Sequence, residues 1–142
     1  MALDFYNDSN TLASISSGEI RESMNATVGS ISETKIYIRN DDTGTYYTNI
    51  SVAINQDTGT FGASGFSIKL YYGSRQPTEA EWDAAPVNTA INIPDIGVLT
   101  AGDDTTFHPF WIRCFCPAGF SLSQLRTDIS FVCTFQDHVV VP

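Results

Sequence analysis

His108, His138, Cys114, Cys116, Cys133 and the pairs Asp41-Asp42 and Asp103-Asp104 are the residues of this chain best suited to chemistry. A hydrolase needs a nucleophile, a base and a group that orients the base, and neither histidine sits in a motif that supplies them. His108 precedes Pro109, and His138 reads as part of the C-terminal tail. Cys114 and Cys116 share one face of a strand at period two, so either could approach Cys133 if their strands pair. A zinc site would then need His108 or His138 as fourth ligand. With an odd number of cysteines and no second pair, a disulfide framework is not expected, and the thiols read as small packed hydrophobes. Both aspartate pairs lie beside glycine in evident turns. They lack the spaced carboxylate series of a dedicated calcium loop. No Gly-rich phosphate loop, Cys-x-x-Cys or His-x-x-x-His occurs, so no catalytic, metal-binding or cofactor-binding residue is nominated and the chain is not expected to be an enzyme.

Tyr46, Tyr47, Tyr71, Tyr72 and Trp111 could form a sugar-stacking platform. Neighbouring side chains on a strand point to opposite faces, however, so at most half of them share a surface. The chain of 142 residues carries 16 acidic and 7 basic side chains, a net charge of −9. That balance repels phosphate backbones and argues against nucleic acid as partner. No apolar run reaches the roughly 20 residues needed to cross a bilayer, and the N-terminus lacks the basic and hydrophobic regions of a secretory signal. A soluble protein made in a cytoplasm is expected, and the glycosylation-like triplets at Asn25 and Asn49 carry little weight.

The elements that must position these residues are strands. Lys35–Asn40 alternates, with Ile36 and Ile38 on one face. After the turn cluster Asp41–Gly44, Tyr47–Ile54 alternates again with Ile50, Val52 and Ile54 inward, and the two segments read as a hairpin. Phe66–Tyr72 places Phe66, Ile68, Leu70 and Tyr72 on one side. Thr78 followed by Glu81 has capping-box spacing, so a single helical turn near residues 78–82 should cross the sandwich, with Trp82 anchoring it in the core. Ala90–Ile96 contains Pro94, which lacks a backbone donor and belongs at a sheet edge. Phe110–Cys116 and Thr127–Phe135 supply the last strands, the latter with Ile129, Phe131, Cys133 and Phe135 on one face. An echo between the segments ending Ile38-Arg39-Asn40 and Ile112-Arg113-Cys114 predicts two similar units paired across a sandwich. The fold expected is all-β, an immunoglobulin-like sandwich of about seven to nine short strands in a single domain. Residues 1–20 form its N-terminal strand or an attachment arm, and residues 21–142 its body.

FWIRCFCPAG (residues 110–119), preceded by IGVLTAGDD (96–104) and KIYIRNDD (35–42), resembles the Ig-like accessory structural proteins of tailed bacteriophages. The resemblance covers most of the chain after about residue 18. It implies a virion protein, foremost a decoration or cement protein on the outer surface of the capsid, with the major capsid protein or other virion proteins as partners and a homo-oligomer within reach. A tail, baseplate or fibre component and a carbohydrate-binding adhesion module are the alternatives. Leu3, Phe5 and Tyr6, apolar residues in MALDFYNDSN, are the candidate partner contacts, able to add as a strand to a neighbour's sheet. The same residues serve equally well as this sandwich's own first strand.

Overall fold

The computed structural model describes residues 3–6, 30–40, 42–56, 67–98, 107–116 and 129–140. Among the described residues, seven strands are laid out in chain order as β1 (Leu3–Tyr6), β2 (Ser30–Asn40), β3 (Thr45–Gln56), β4 (Ser67–Tyr72), β5 (Ile91–Ile93), β6 (Phe107–Cys116) and β7 (Ile129–Val139), with a short helix, α1 (Glu79–Ala84), between β4 and β5. They form two antiparallel sheets, one ordered β1-β2-β6-β4 and the other β5-β3-β7. The protein is an all-β sandwich.

Alternation decides which side chains lie between the sheets. Ile36 and Ile38 of β2, Ile68 and Leu70 of β4, and Phe110 and Ile112 of β6 point inward from the first sheet and are buried. Tyr47, Ile50 and Val52 of β3 and Ile93 of β5, with Ile96 just beyond it, close the core from the second sheet. Phe5, Ile54, Phe131, Cys133 and Phe135 pack against this cluster and are partly buried.

The expected hairpin between the second and third strands does not form. β2 and β3 lie in different sheets, and the chain passes from one layer to the other between Asn40 and Thr45. Asn40, 0% exposed, makes that corner. Its Nδ2 donates to the Thr45 and Gly97 carbonyls, each at 2.8 Å. Its Oδ1 accepts from the Asp42 amide at 2.9 Å, while Asp42 Oδ1 accepts from the Gly44 amide at 2.7 Å. A hairpin would have put both inward apolar faces on one sheet with nothing to cover them. Crossing to the other layer lets each bury the other.

β3 departs from strict alternation. Tyr47 and Ile50 are both buried although three residues apart, because a bulge between Thr48 and Ser51 sets two residues against one of β7. Asn49 takes the left-handed conformation there (φ 51°), one that asparagine tolerates better than most residues, and its Nδ2 donates to Gln136 Oε1 at 2.7 Å. β5 is a three-residue edge strand ended by Pro94, as its proline predicted. The two echoing segments are neighbours within one sheet, β2 beside β6, and do not face each other across the core.

Replacing Asn40 by alanine removes three hydrogen bonds and strands two carbonyls and an amide at the corner. A loss on the order of 3 kcal/mol follows, and urea unfolding of Asn40→Ala should show it as a lower midpoint with an unchanged slope.

Candidate functional site

Thr78, Glu81 and Trp82 were expected to form a capped helical turn driven into the core. The cap is present: Thr78 Oγ1 accepts from the Glu81 amide at 3.2 Å, and Glu81 Oε1 accepts from the Thr78 amide at 3.0 Å. Trp82 is fully buried, but not between the sheets. Its ring meets Tyr71 edge-on at 6.0 Å, and the Arg113 guanidinium lies 5.6 Å from its centroid. Tyr71 and Arg113 stand on the face of the first sheet opposite Leu70 and Ile112, so α1 lies on the outside of the sandwich. Alternation gives the reason: the inner face was already filled with aliphatic residues, and the outer face offered an aromatic ring and a cation for tryptophan to pack on.

Ion pairs and hydrogen bonds fasten the helix to the sheet. Arg113 Nη2 donates to both oxygens of Glu79, at 2.8 and 3.0 Å, and its Nε lies 3.7 Å from Glu33 Oε1. Lys69 Nζ donates to the Trp82 carbonyl at 2.8 Å, and Gln76 Nε2 to Glu33 Oε2 at 2.7 Å. Glu81 accepts hydrogen bonds from the Tyr71 hydroxyl and from Arg75. The Tyr71 hydrogen bond, then those from the Thr78 amide and Arg75, hold the Glu81 carboxyl down to about 2. The same bond, reinforced by burial and by the Glu81 charge, raises Tyr71 above the usual tyrosine range.

Next to this helix the outer face is apolar. Ile31 is 52% and Phe115 40% exposed. The two are paired in register and line a shallow depression of about 110 Å³ with Ser67, Lys69 and Arg113. The other sheet exposes Tyr46, Val132 and Val139.

The residues singled out for chemistry are dispersed. His108 Nε2 lies 3.1 Å from the Asp95 carbonyl oxygen, and its Nδ1 lies 3.4 Å from the Tyr72 hydroxyl. His138 belongs to β7 rather than to a tail; it stacks on Tyr46 with ring centroids 4.7 Å apart and meets Thr48 Oγ1 at 2.8 Å. The two histidines are on different sheets. Cys114 and Cys133 are thiols that face the core from opposite sheets, so the strand pairing that would join them does not occur. The Cys116 side chain, Asp41 and Asp103-Asp104 lie outside the described residues. Among the described residues no three of His, Cys, Asp and Glu gather as a metal set would require.

The aromatic platform is likewise divided. Tyr47 is buried in the core, Tyr71 is engaged with Glu81 and Trp82, and the exposed Tyr46 and Tyr72 stand on different sheets. Leu3, Phe5 and Tyr6 form β1, paired to the outer edge of β2 in register Leu3–Asn40 to Tyr6–Tyr37. Phe5 packs edge-on against Phe110 at 5.9 Å, and Tyr6 is buried beneath Arg39, whose guanidinium is 5.8 Å from its ring. The apolar pair Ile31 and Phe115 was missed in the sequence. It was open to detection, because alternation from the buried Ile36 and Ile112 places both on the outside.

Comparison with known protein families, with curated proteins and with solved structures returns no match.

The low pKa of Glu81 sets the sign of a pH effect. A folded-state value of about 2 against an ordinary 4.5 means that its contribution to stability is complete above pH 4.5 and disappears as pH falls toward 2. In thermal unfolding the gap between wild type and Glu81→Gln is therefore expected to stay constant from neutrality to about pH 5 and to narrow below it.

Proposed function

We propose that this protein is a structural component of a bacteriophage virion that binds the outer surface of the capsid and stabilises the head, with the major capsid protein as its partner. The observation that carries the reading is the placement of large apolar side chains on the outer face of the sandwich, away from the core. Ile31 and Phe115 stand exposed side by side on the outer face of one sheet, and Val132 is exposed on the outer face of the other. Large apolar groups clustered on a surface point to contact with another protein. The resemblance of residues 35–42 and 96–119 to phage accessory proteins supplies the kind of partner.

The strand order supports the immunoglobulin-like part of the proposal. β1-β2-β6-β4 follows the A-B-E-D order of that sandwich, and β3 beside β7 stands as C beside F. β5 occupies the far side of β3. No chemical step is assigned. The protein acts by filling contacts between neighbouring capsid subunits, many copies together resisting internal pressure.

Two measurements test this. Particles stripped of the protein should lose their genome at a lower temperature than decorated ones, and equal retention would remove the cement role. The double variant Ile31→Asp/Phe115→Ser, altered only at exposed positions, should fold normally and bind stripped capsids at least tenfold more weakly, a loss of about 1.4 kcal/mol or more. Undiminished binding would move the contact to another face, and labelling confined to tails would overturn the head assignment.

A further inference from the structure

A sandwich of two open sheets has four edge strands, each a template for another strand unless blunted. Three are blunted here. β1 is only four residues long, and β5 is three residues long with Pro94 behind it. On β4, Asn88 closes the backbone from outside: its Oδ1 accepts from the Ile68 amide at 3.1 Å and its amide donates to the Ile68 carbonyl at 2.8 Å. β7 is different. It runs eleven residues, contains no proline, lysine or arginine, and carries Asp137 as its one formal charge. Among the described strands it pairs with β3 alone.

Among the described strands the layers also differ in width. β5 of the three-stranded sheet lies against β4 of the four-stranded one, so the described strands β5-β3-β7 cover β4-β6-β2 and stop short of β1. Phe131 and Phe135 on β7 and Phe5 on β1 point inward at this side, and all three are only partly buried. One more strand beside β7 would lie opposite β1 and complete their burial.

We propose that this position is filled by β7 of a second copy, paired antiparallel about a two-fold axis at Thr134. A two-fold contact must suit itself, and β7 does. With Thr134 facing Thr134 of the other copy, Val132 faces Gln136 and Asp137 faces Phe131, so no like charges are opposed. A chain of net charge −9 needs a seam that sets no like charges directly opposite each other to meet its own kind. The hydrogen-bonding phase is right as well. The Val140 amide donates inward to the Gly44 carbonyl, whereas the Tyr47 amide turns away to Ile96. Asp137, the register partner of Tyr47, therefore turns its amide away from β3. The result is a continuous six-stranded sheet across two molecules, held by main-chain hydrogen bonds. It stands whether or not the protein decorates a capsid.

Sedimentation equilibrium of the full chain over a range of concentrations tests the seam together with two variants. Wild type is expected to show a monomer–dimer equilibrium. Asp137→Pro removes an outward donor without touching the β3 ladder and should raise the dissociation constant at least tenfold. Thr134→Cys puts the new thiols at a non-hydrogen-bonded pair across the axis, where Cα atoms lie about 4.5 Å apart, within disulfide range, and should yield a covalent dimer under mild oxidation that wild type does not give. A wild type that stays monomeric at every concentration, with no gain in cross-linking for Thr134→Cys, overturns the proposal. So does a dimer that survives Asp137→Pro and is not trapped by Thr134→Cys, since it would use another surface.

Discussion

The buried Asn40 side chain is the interaction on which the rest of the architecture depends. It ends β2, starts β3 and ties in Gly97 after β5, so one amide group joins three segments from both sheets. Amide donors and an acceptor are both required, because the chain must satisfy two carbonyls and one amide while it turns away from water. Once the corner is fixed, β2 is committed to one layer and β3 to the other. Their alternating faces then meet across the core instead of lying side by side.

A second layer of organisation lies outside the sandwich. α1 is six residues long, too short to persist by itself, and it is held by its capping box, by Trp82 on Tyr71 and Arg113, and by the carboxylates of Glu79 and Glu81. The outcome is a sheet face divided in two: one part sealed by the helix, the other presenting Ile31 and Phe115. The sealed patch and the open apolar patch lie side by side on one face of the same sheet.

Much of the fold was legible because alternation is a local signal. Ile36 with Ile38, Ile68 with Leu70, and Ile50 with Val52 were placed inward from spacing alone, and Thr78 with Glu81 marked the helix start. What escaped depended on partners distant in the chain. The turn at residues 41–44 looks the same in sequence whether it closes a hairpin or crosses between sheets; the difference is the bond from Asn40 to Gly97, 57 positions away. The bulge at Asn49 was written in the odd spacing of Tyr47 and Ile50, but only the fixed register against β7 shows which of them breaks the pattern. Trp82 was correctly read as buried and assigned to the wrong side of the sheet, because burial does not say which face provides it. The histidines and the aromatic platform were scattered for a related reason: His108 on β6 and Tyr72 on β4 belong to one sheet, His138 on β7 and Tyr46 on β3 to the other.

The sheet-crossing corner is most directly tested by interstrand backbone NOEs in solution. Contacts joining Thr34–Ile38 to His108–Ile112, and Val52–Ile54 to Phe131–Cys133, are the result this architecture requires. A ladder of NOEs joining Ile36–Asn40 to Thr45–Asn49 would show β2 and β3 paired as a hairpin, and would contradict it.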